Sequence, residues 1–201
     1  MVLSSTIFDS FADTRTVDEY YDRKQFWRHS IGVGACSKVI AGKLGMSTML
    51  EEFFIAGLLH DIGKILIDQF MHEDFEKILK IVHEKNCLMY DAELEVLQAT
   101  HCEVGGLLTR KWGISPMASA VVEYHHQPDL AGEFIRPAGI VHLADIIVRA
   151  MCIGSGGDRK IPCINAAAWT NLGFTLNDLD VIMEYTQKEL EGAMVFMEFI
   201  K

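Results

Sequence analysis

Apolar residues recur at helical spacing along most of this chain, and this periodicity limits the possible folds more than any other feature. Only four prolines interrupt it. Alternating runs bounded by turn residues, which are typical of strands, are scarce. We therefore predict an all-α fold, a helical bundle. A length of 201 residues suits one domain, with a core over about 17–152 and a C-terminal helical appendage over about 163–201.

The same periodicity gives approximate helix bounds. A long first helix is predicted over 17–44 and ends at Gly45, because glycine commonly terminates helices. A second helix is predicted to begin near Ser47 or Thr48, which can cap it. Further helices are predicted over 72–85, 90–111, 115–125 and 136–152.

The last predicted helix can be capped by Thr175, with the negative charge of Asp178 in its first turn. Its apolar residues recur at near-helical spacing and are expected to pack on the body of the domain: Leu176, Leu179, Ile182, Leu190, Met194 and Met197. The apolar end, MVFMEFI, has an alternative interpretation as a surface for a protein partner or a second copy of the chain.

Charge and composition exclude several classes of protein. The formal net charge of −10 repels polyanions, so we expect no binding to duplex nucleic acid. No apolar run is long enough to span a membrane, and the first residues lack the pattern of a secretory signal. Five scattered cysteines without a CxxC pair favour reduced, mostly buried thiols in a cytoplasmic protein: Cys36, Cys87, Cys102, Cys152 and Cys163.

The clearest loop covers 153–162, with GSGGDRK at its centre. It contains glycines and a lysine but lacks the spacing of a phosphate-binding loop. We therefore predict a mobile connector.

The segment GLLHDIGK places His60 and Asp61 side by side after an apolar helix. A buried carboxylate requires a cation or several hydrogen bonds, so the pair could share one metal ion, or Asp61 could bridge two. Lys64 follows at helical spacing from both. Its ammonium group could bind a substrate phosphate or form a salt bridge with Asp61, and the sequence leaves both interpretations open.

Five further residues are candidates for the same site: His29, His101, His125, His126 and Asp145, the last in an otherwise apolar helix. Each histidine alone is more often a satisfied core or surface residue. A buried aspartate such as Asp145 needs a partner.

Taken in order, these residues give the pattern H…HD…H…HH…D. This order and its local wording resemble the HD superfamily of metal-dependent phosphohydrolases, and most of all the HDOD branch of bacterial signalling proteins. The segments that carry the resemblance are FWRHS, EEFFIAGLLHDIGK, HCEVGGLLTRKWGI, YHHQP and IVHLADIIVRA. They cover most of the chain.

The resemblance implies a metal site between core helices. His29, His60, Asp61 and Asp145 match the ligands of a first metal. The ligands of a second metal are matched by His101, His125 and His126, with Asp61 bridging the two metals. The implied cofactors are two divalent transition-metal ions, with Fe or Mn favoured and Zn or Ni possible. The implied activity is hydrolysis of a phosphate-containing small molecule or nucleotide, with Asp61 and Lys64 as catalytic residues. The alternative is a regulatory module that binds metal without catalysis.

The sequence departs from the family pattern after the paired histidines. The chain reads HHQPDLAGEF where cyclic di-GMP phosphodiesterases carry a DGxGYP-like motif, which argues against that substrate. Gln98 occupies a position where glycine is common. His72, His83 and His142 match no ligand position, and His142 is interpreted as a structural histidine rather than a partner of Asp145. Cys102 is interpreted as a small core residue rather than a ligand.

Overall fold

The computed structural model describes residues 21–198, with side chains up to residue 192. Helices form the regular structure of this range, which confirms the predicted all-α fold. In chain order the α-helices are α1 Arg23–Lys43, α2 Leu50–Leu59, α3 Ile62–Phe70, α4 His72–Lys85, α5 Met89–Leu97, α6 His101–Lys111, α7 Pro116–Tyr124, α8 Ile135–Ala150, α9 Ala166–Leu172 and α10 Leu176–Glu198. Short 3-10 turns cover Ser47–Met49, Pro128–Leu130 and Gly132–Phe134.

Within the described residues, the first helix begins at Arg23, whereas the sequence predicted that residues 21 and 22 are already helical. The carboxylate of Asp22 caps α1 by accepting hydrogen bonds from the backbone N–H groups of Lys24 and Gln25. The predicted start at 17–20 lies outside the described residues. At the other end, Gly45 takes a left-handed conformation (φ 77°), as the sequence predicted for the helix stop.

The predicted continuous helix over 90–111 is wrong, because the chain breaks it into α5 and α6. Gln98 takes the left-handed conformation (φ 55°) that terminates α5, which explains why glycine suits this position. Thr100 then caps α6 in a capping box with Glu103. The T-x-x-E spacing was present in the sequence and locates this helix start.

Two apolar clusters fill the interior and lie on either side of the space that the candidate site occupies. The first joins α1, α2, α7, α8 and α10 through residues such as Val33, Phe53 and Ile140. The second joins α3, α4 and α5 to the start of α1, with Phe26 and Phe75 buried in it. Helices α1, α2 and α7 each contribute to both clusters and so connect them.

The C-terminal helix packs on α1, as predicted. Ile182 and Leu190 are buried in the first apolar cluster. Leu176, in contrast, is 75% exposed, so the prediction that it packs on the body is wrong. The side chains of Met194 and Met197 and the segment 199–201 lie outside the described residues. None of the helices in the range 21–198 combines the length and apolar character that crossing a bilayer requires.

Candidate metal centre

The junction between α2 and α3 positions the HD pair. His60 follows the last residue of α2, and Asp61 precedes the first residue of α3. A side chain at Gly63 would collide with the backbone of α6, since a Cβ atom there would lie 1.9 Å from the carbonyl oxygen of His101. The glycine therefore allows α3 to approach α6 closely enough to bring Asp61 beside His101.

The close packing of α6 and α7 follows the same principle. A Cβ atom on Gly105 would lie 2.8 Å from the side chain of Val122, and one on Gly106 would lie 2.9 Å from Cβ of Glu123. The close approach that the two glycines predicted is therefore present. It brings the start of α6 near the end of α7, where His125 lies.

One cluster of potential ligands draws on three parts of the chain. His29 comes from α1, His60 from the α2–α3 junction and Asp145 from α8, and their ligand atoms all lie within 4.8 Å of one another. His29 Nε2 is 3.0 Å from Asp145 Oδ1, and His60 Nε2 is 4.0 Å from the same oxygen. We call these three residues the first cluster.

A second cluster lies on the other side of Asp61. It comprises His101 from the first turn of α6, together with His125 and His126, which follow the end of α7. Cys102 belongs to the same group of potential ligand atoms. We call His101, His125, His126 and Cys102 the second cluster.

The carboxylate of Asp61 lies between the two clusters, and its two oxygens face different ones. Oδ2 is 3.2 Å from His60 Nε2 and 4.0 Å from His29 Nε2. Oδ1 is 3.1 Å from His101 Nε2 and 3.6 Å from His125 Nε2. The carboxylate therefore has the orientation that a bridging ligand needs.

Three histidines have their Nδ1 atoms fixed by acceptors, which leaves Nε2 for the site. Nδ1 of His60 lies 2.7 Å from the carbonyl oxygen of Gly57, and Nδ1 of His125 lies 3.0 Å from that of Val122. Nδ1 of His101 lies 2.6 Å from a carboxylate oxygen of Glu93. Because each of these oxygens can only accept, Nδ1 donates, and Nε2 is the nitrogen that a metal would bind. This arrangement is typical of metal-binding histidines. Against the effect of burial, Cys102 raises the pKa of His125 to about 9 and raises that of His101, so a metal at Nε2 would displace a proton from these two rings.

Several buried atoms in the site lack hydrogen-bond partners among the described residues: His29 Nε2, His60 Nε2 and Asp61 Oδ1. Although His29 Nε2 is close to Asp145, the two are not in hydrogen-bond geometry. Unpaired buried polar atoms are rare and require an explanation. A cation in the first cluster would satisfy the two histidine nitrogens, and one in the second cluster would satisfy Asp61 Oδ1, so the donor set fits metals at both places.

Burial and charge together set the protonation of the site. Burial lowers the pKa of His60 to about 4, which keeps its imidazole neutral. Burial alone would raise the pKa of the Asp61 carboxyl, but His60 and Lys64 hold it well below the usual range. The pKa of Asp145 is likewise held low against burial by Arg149 and His29. The site thus presents carboxylates and at least one neutral imidazole, the forms that bind metals.

Lys64 lies at the centre of the site and is fully buried. Its Nζ donates to Asp61 Oδ2 at 2.7 Å, which is the salt bridge that the sequence left as one of two interpretations. Nζ also donates to the carbonyl oxygen of Gly156 at 2.9 Å.

The contact with Gly156 corrects the prediction that 153–162 is a simple mobile connector. Ser155 N–H donates to the carbonyl of Gln25 in α1. Asp158 accepts from Arg149 at 2.6 Å and from the backbone of Met89 at 3.2 Å. The loop therefore packs across the first cluster and forms part of its wall.

Sequence reasoning missed two residues that orient the ligands. Arg149 Nε donates to Asp145 Oδ1 at 2.8 Å, and its position four residues later on α8 could have indicated this pair. Glu93 is fully buried and accepts from both the backbone N–H and the ring of His101. It lies in α5, across the unpredicted helix break, so no local pattern pointed to it.

His142 has a structural role, as interpreted from the sequence. Nδ1 is 2.8 Å from the carbonyl oxygen of His125, and Nε2 accepts from Asn165 N–H at 2.9 Å. The residue thus connects α8 to the second cluster and to the start of α9. It makes no hydrogen bond with Asp145.

The cysteines differ in part from the prediction of mostly buried thiols. All five are free, but only Cys36 and Cys102 are buried, whereas Cys152 and Cys163 are exposed and Cys87 is intermediate. Both exposed cysteines lie in the segment between the end of α8 and the start of α9.

Comparison with known proteins adds a family to this geometry. Residues 1–128 match the model of the HDOD domain. An HDOD domain protein of unknown function from Geobacter sulfurreducens has a crystal structure with a TM-score of 0.72 and 25% identity, covering 96% of this chain and 67% of its own. A candidate phosphohydrolase from Shewanella amazonensis gives a TM-score of 0.68 at 23% identity, covering 94% of this chain and 70% of its own.

Among curated proteins, ribonuclease Y of Mycoplasma mycoides is 33% identical over 119 residues. The match covers 59% of this chain and 21% of the ribonuclease. The chain thus spans about a quarter or less of the length of the curated relatives it matches first.

Proposed function

Since this chain belongs to the HDOD domain family, we propose that it is a metal-dependent phosphohydrolase that acts on a nucleotide or another phosphate ester. The observation that carries the proposal is the orientation of the Asp61 carboxylate, which points one oxygen at each cluster of histidines. The names of two similar proteins, a ribonuclease and a candidate phosphohydrolase, both refer to cleavage of phosphate esters.

In this proposal the first cluster and Asp61 Oδ2 hold one divalent ion. The three histidines of the second cluster and Asp61 Oδ1 hold another. Imidazole and carboxylate ligands suit Fe, Mn, Zn or Ni. Such ions would supply the positive charge that neutralises phosphate oxygens and makes a nearby water more acidic.

The chain's own residues orient this ligand set. Glu93 fixes the ring of His101, and Arg149 fixes the carboxylate of Asp145. Lys64 Nζ neutralises Asp61 and is the nearest ammonium group that a phosphate could reach. The ammonium group has three N–H donors, of which Asp61 and the carbonyl of Gly156 take two, so one remains for a phosphate. Because Lys64 is fully buried, a phosphate could reach it only if the loop around Gly156 moves.

A turnover screen tests the proposal. Protein loaded with Mn²⁺, Fe²⁺ or Zn²⁺ is incubated with a panel of nucleotides, short oligoribonucleotides and phosphodiesters, and released phosphate or products are measured. We expect hydrolysis of at least one member above free-metal controls. Cyclic di-GMP should be hydrolysed little or not at all, because the segment after His126 lacks the DGxGYP-like motif.

The alternative function is a regulatory module that binds metal without catalysis, and the burial of the site favours it. The side chains of His29, His60, Asp61 and Lys64 are at most 1% exposed, so the first cluster is closed to solvent. Fully loaded protein that hydrolyses nothing in the panel, while retaining its metal, would favour this function over catalysis.

A further inference from the structure

Cys102 is buried without belonging to the apolar core. Its exposed fraction is only 2%, yet it is a member of neither apolar cluster. By contrast, Cys36 is buried within the first apolar cluster. Cys102 is thus buried outside both apolar clusters, beside polar groups of the site.

The contacts of the Cys102 sulfur are imidazole nitrogens. Sγ lies 3.4 Å from His101 Nε2, and it is 3.9 Å from Nδ1 and 4.0 Å from Nε2 of His125. Together with His126, these atoms form a group in which every ligand atom is within 4.8 Å of every other. A tetrahedral zinc site with Zn–S bonds of about 2.3 Å and Zn–N bonds of about 2.05 Å places sulfur and nitrogen about 3.6 Å apart. The spacing to His101 Nε2 is close to that value, whereas the His125 ring would have to turn slightly to bring its Nε2 to the same distance.

A second observation points to an ion at this place. Asp61 Oδ1 is fully buried, faces His101 and His125, and has no hydrogen-bond partner among the described residues. An unpaired buried carboxylate oxygen beside imidazoles and a thiol is satisfied by a cation bound to all of them.

We propose that Cys102 is a ligand of the second metal position and makes that position selective for zinc. This inference rests on the metal binding of the proposed function. Together with Asp61 Oδ1, three histidines and a thiolate offer a nitrogen- and sulfur-rich ligand set, and a thiolate ligand favours zinc over Mn²⁺. The first cluster offers only imidazole and carboxylate, which also suit Fe and Mn. The two positions therefore hold different metals, and any reaction takes place at the first.

Cobalt substitution detects the sulfur ligand directly. Protein stripped with chelator is titrated with Co²⁺, and bound Co²⁺ is counted by elemental analysis. We expect an intense near-ultraviolet absorption from thiolate-to-Co²⁺ charge transfer. Cys102→Ser should lose this absorption while still binding Co²⁺ at the first position. Cys36→Ser changes a buried thiol outside both clusters of metal ligands and should keep the charge-transfer absorption.

Zinc competition measures the selectivity. Wild-type protein loaded with both Zn²⁺ and excess Mn²⁺ should retain close to one Zn²⁺ per chain. In Cys102→Ser we expect the affinity of the second position for Zn²⁺ to fall by more than the roughly 10–100-fold that changes in outer-shell partners cause. X-ray absorption of zinc-loaded wild type, which needs no variant, should contain a sulfur shell at about 2.3 Å.

The outcomes separate this inference from the proposed function. Bound Co²⁺ without charge-transfer absorption, and no sulfur shell on zinc, would overturn the role of Cys102 and leave the metal-dependent function in place. Protein that binds no metal would overturn both. Metal binding with sulfur ligation but no turnover would retain Cys102 as a ligand and reject only catalysis.

Discussion

The Nζ atom of Lys64 donates a hydrogen bond to the carbonyl oxygen of Gly156, 92 positions later in the chain, at 2.9 Å. A side chain at the same glycine would be crowded, since a Cβ atom would lie 3.0 Å from Arg149 Nη2, 3.3 Å from Asp61 Oδ2 and 3.4 Å from His29 Nε2. One backbone segment therefore covers both the ammonium group and the first cluster. The closed state of the site depends on this loop.

Removal of the ammonium group tests the role of Lys64. Lys64→Met keeps most of the side-chain volume, and we expect turnover to fall by about 100-fold because a charge that stabilises the phosphate is lost. Metal content, measured by elemental analysis, should stay close to wild type. Lys77→Met, which changes an exposed lysine paired with Asp74, is the control. Loss of metal from the Lys64 variant would instead assign Lys64 a structural role.

The position of Asp61 between the clusters predicts its effect on metal content. We expect wild-type protein to carry close to two ions per chain, and Asp61→Ala to lose most of both, because one side chain serves both clusters. Asp68→Ala is the matched control, since Asp68 lies on the same helix but pairs with Arg23 outside both clusters. Equal metal content in the two variants would show that Asp61 does not bridge.

Metal removal should lower thermal stability, because the ligands come from separate helices and only the native state assembles them. Free metal at 100 times its Kd stabilises by about 2.7 kcal/mol, which for a chain of this size corresponds to roughly 5–10 °C in Tm. Thermal melts with and without strong chelator measure the difference. Asp61→Ala should be insensitive to chelator. An unchanged wild-type melt after confirmed metal removal would place the metals at the periphery.

The carboxylate of Glu93 should matter for the second position alone. Glu93→Gln removes the charge that holds the Nδ1 proton of His101, so we expect metal affinity at that position to fall roughly 10–100-fold. Calorimetric titration of stripped protein resolves the two positions. Glu95→Gln, an exposed change on the same helix, should have no effect. A uniform loss at both positions would point to misfolding rather than to the hydrogen bond.

Thiol labelling should distinguish the cysteines by environment. Burial raises the pKa of Cys36 to about 12, so its thiol stays protonated and unreactive at pH 8. Exposed Cys152 and Cys163 should react quickly with iodoacetamide, whereas Cys36 should react only after unfolding. Mass spectrometry of digested protein measures each site. Fast labelling of Cys36 in native protein would contradict its buried position.

Much of the fold and of the candidate ligand set was accessible from the sequence, because helical periodicity and capping act over a few residues. The all-α class, the stop at Gly45 and the juxtaposition of His60 with Asp61 follow from such local patterns. The break at Gln98 was missed, although the Thr100 capping box is also local. Arg149 could have been paired with Asp145 from helical spacing alone.

Other features depend on contacts between residues far apart in the chain. The sequence by itself determined seven candidate metal ligands, whereas the tertiary structure decided how they divide between two clusters and added Cys102 to one of them. The close packing at Gly63 turns one oxygen of Asp61 toward His101, and the packing of α5 on the start of α6 brings Glu93 to the same ring. The loop at Gly156 and the sulfur of Cys102 reach the site only through packing of this kind. Distances between elements are set by how whole helices pack, and no short stretch of sequence specifies them.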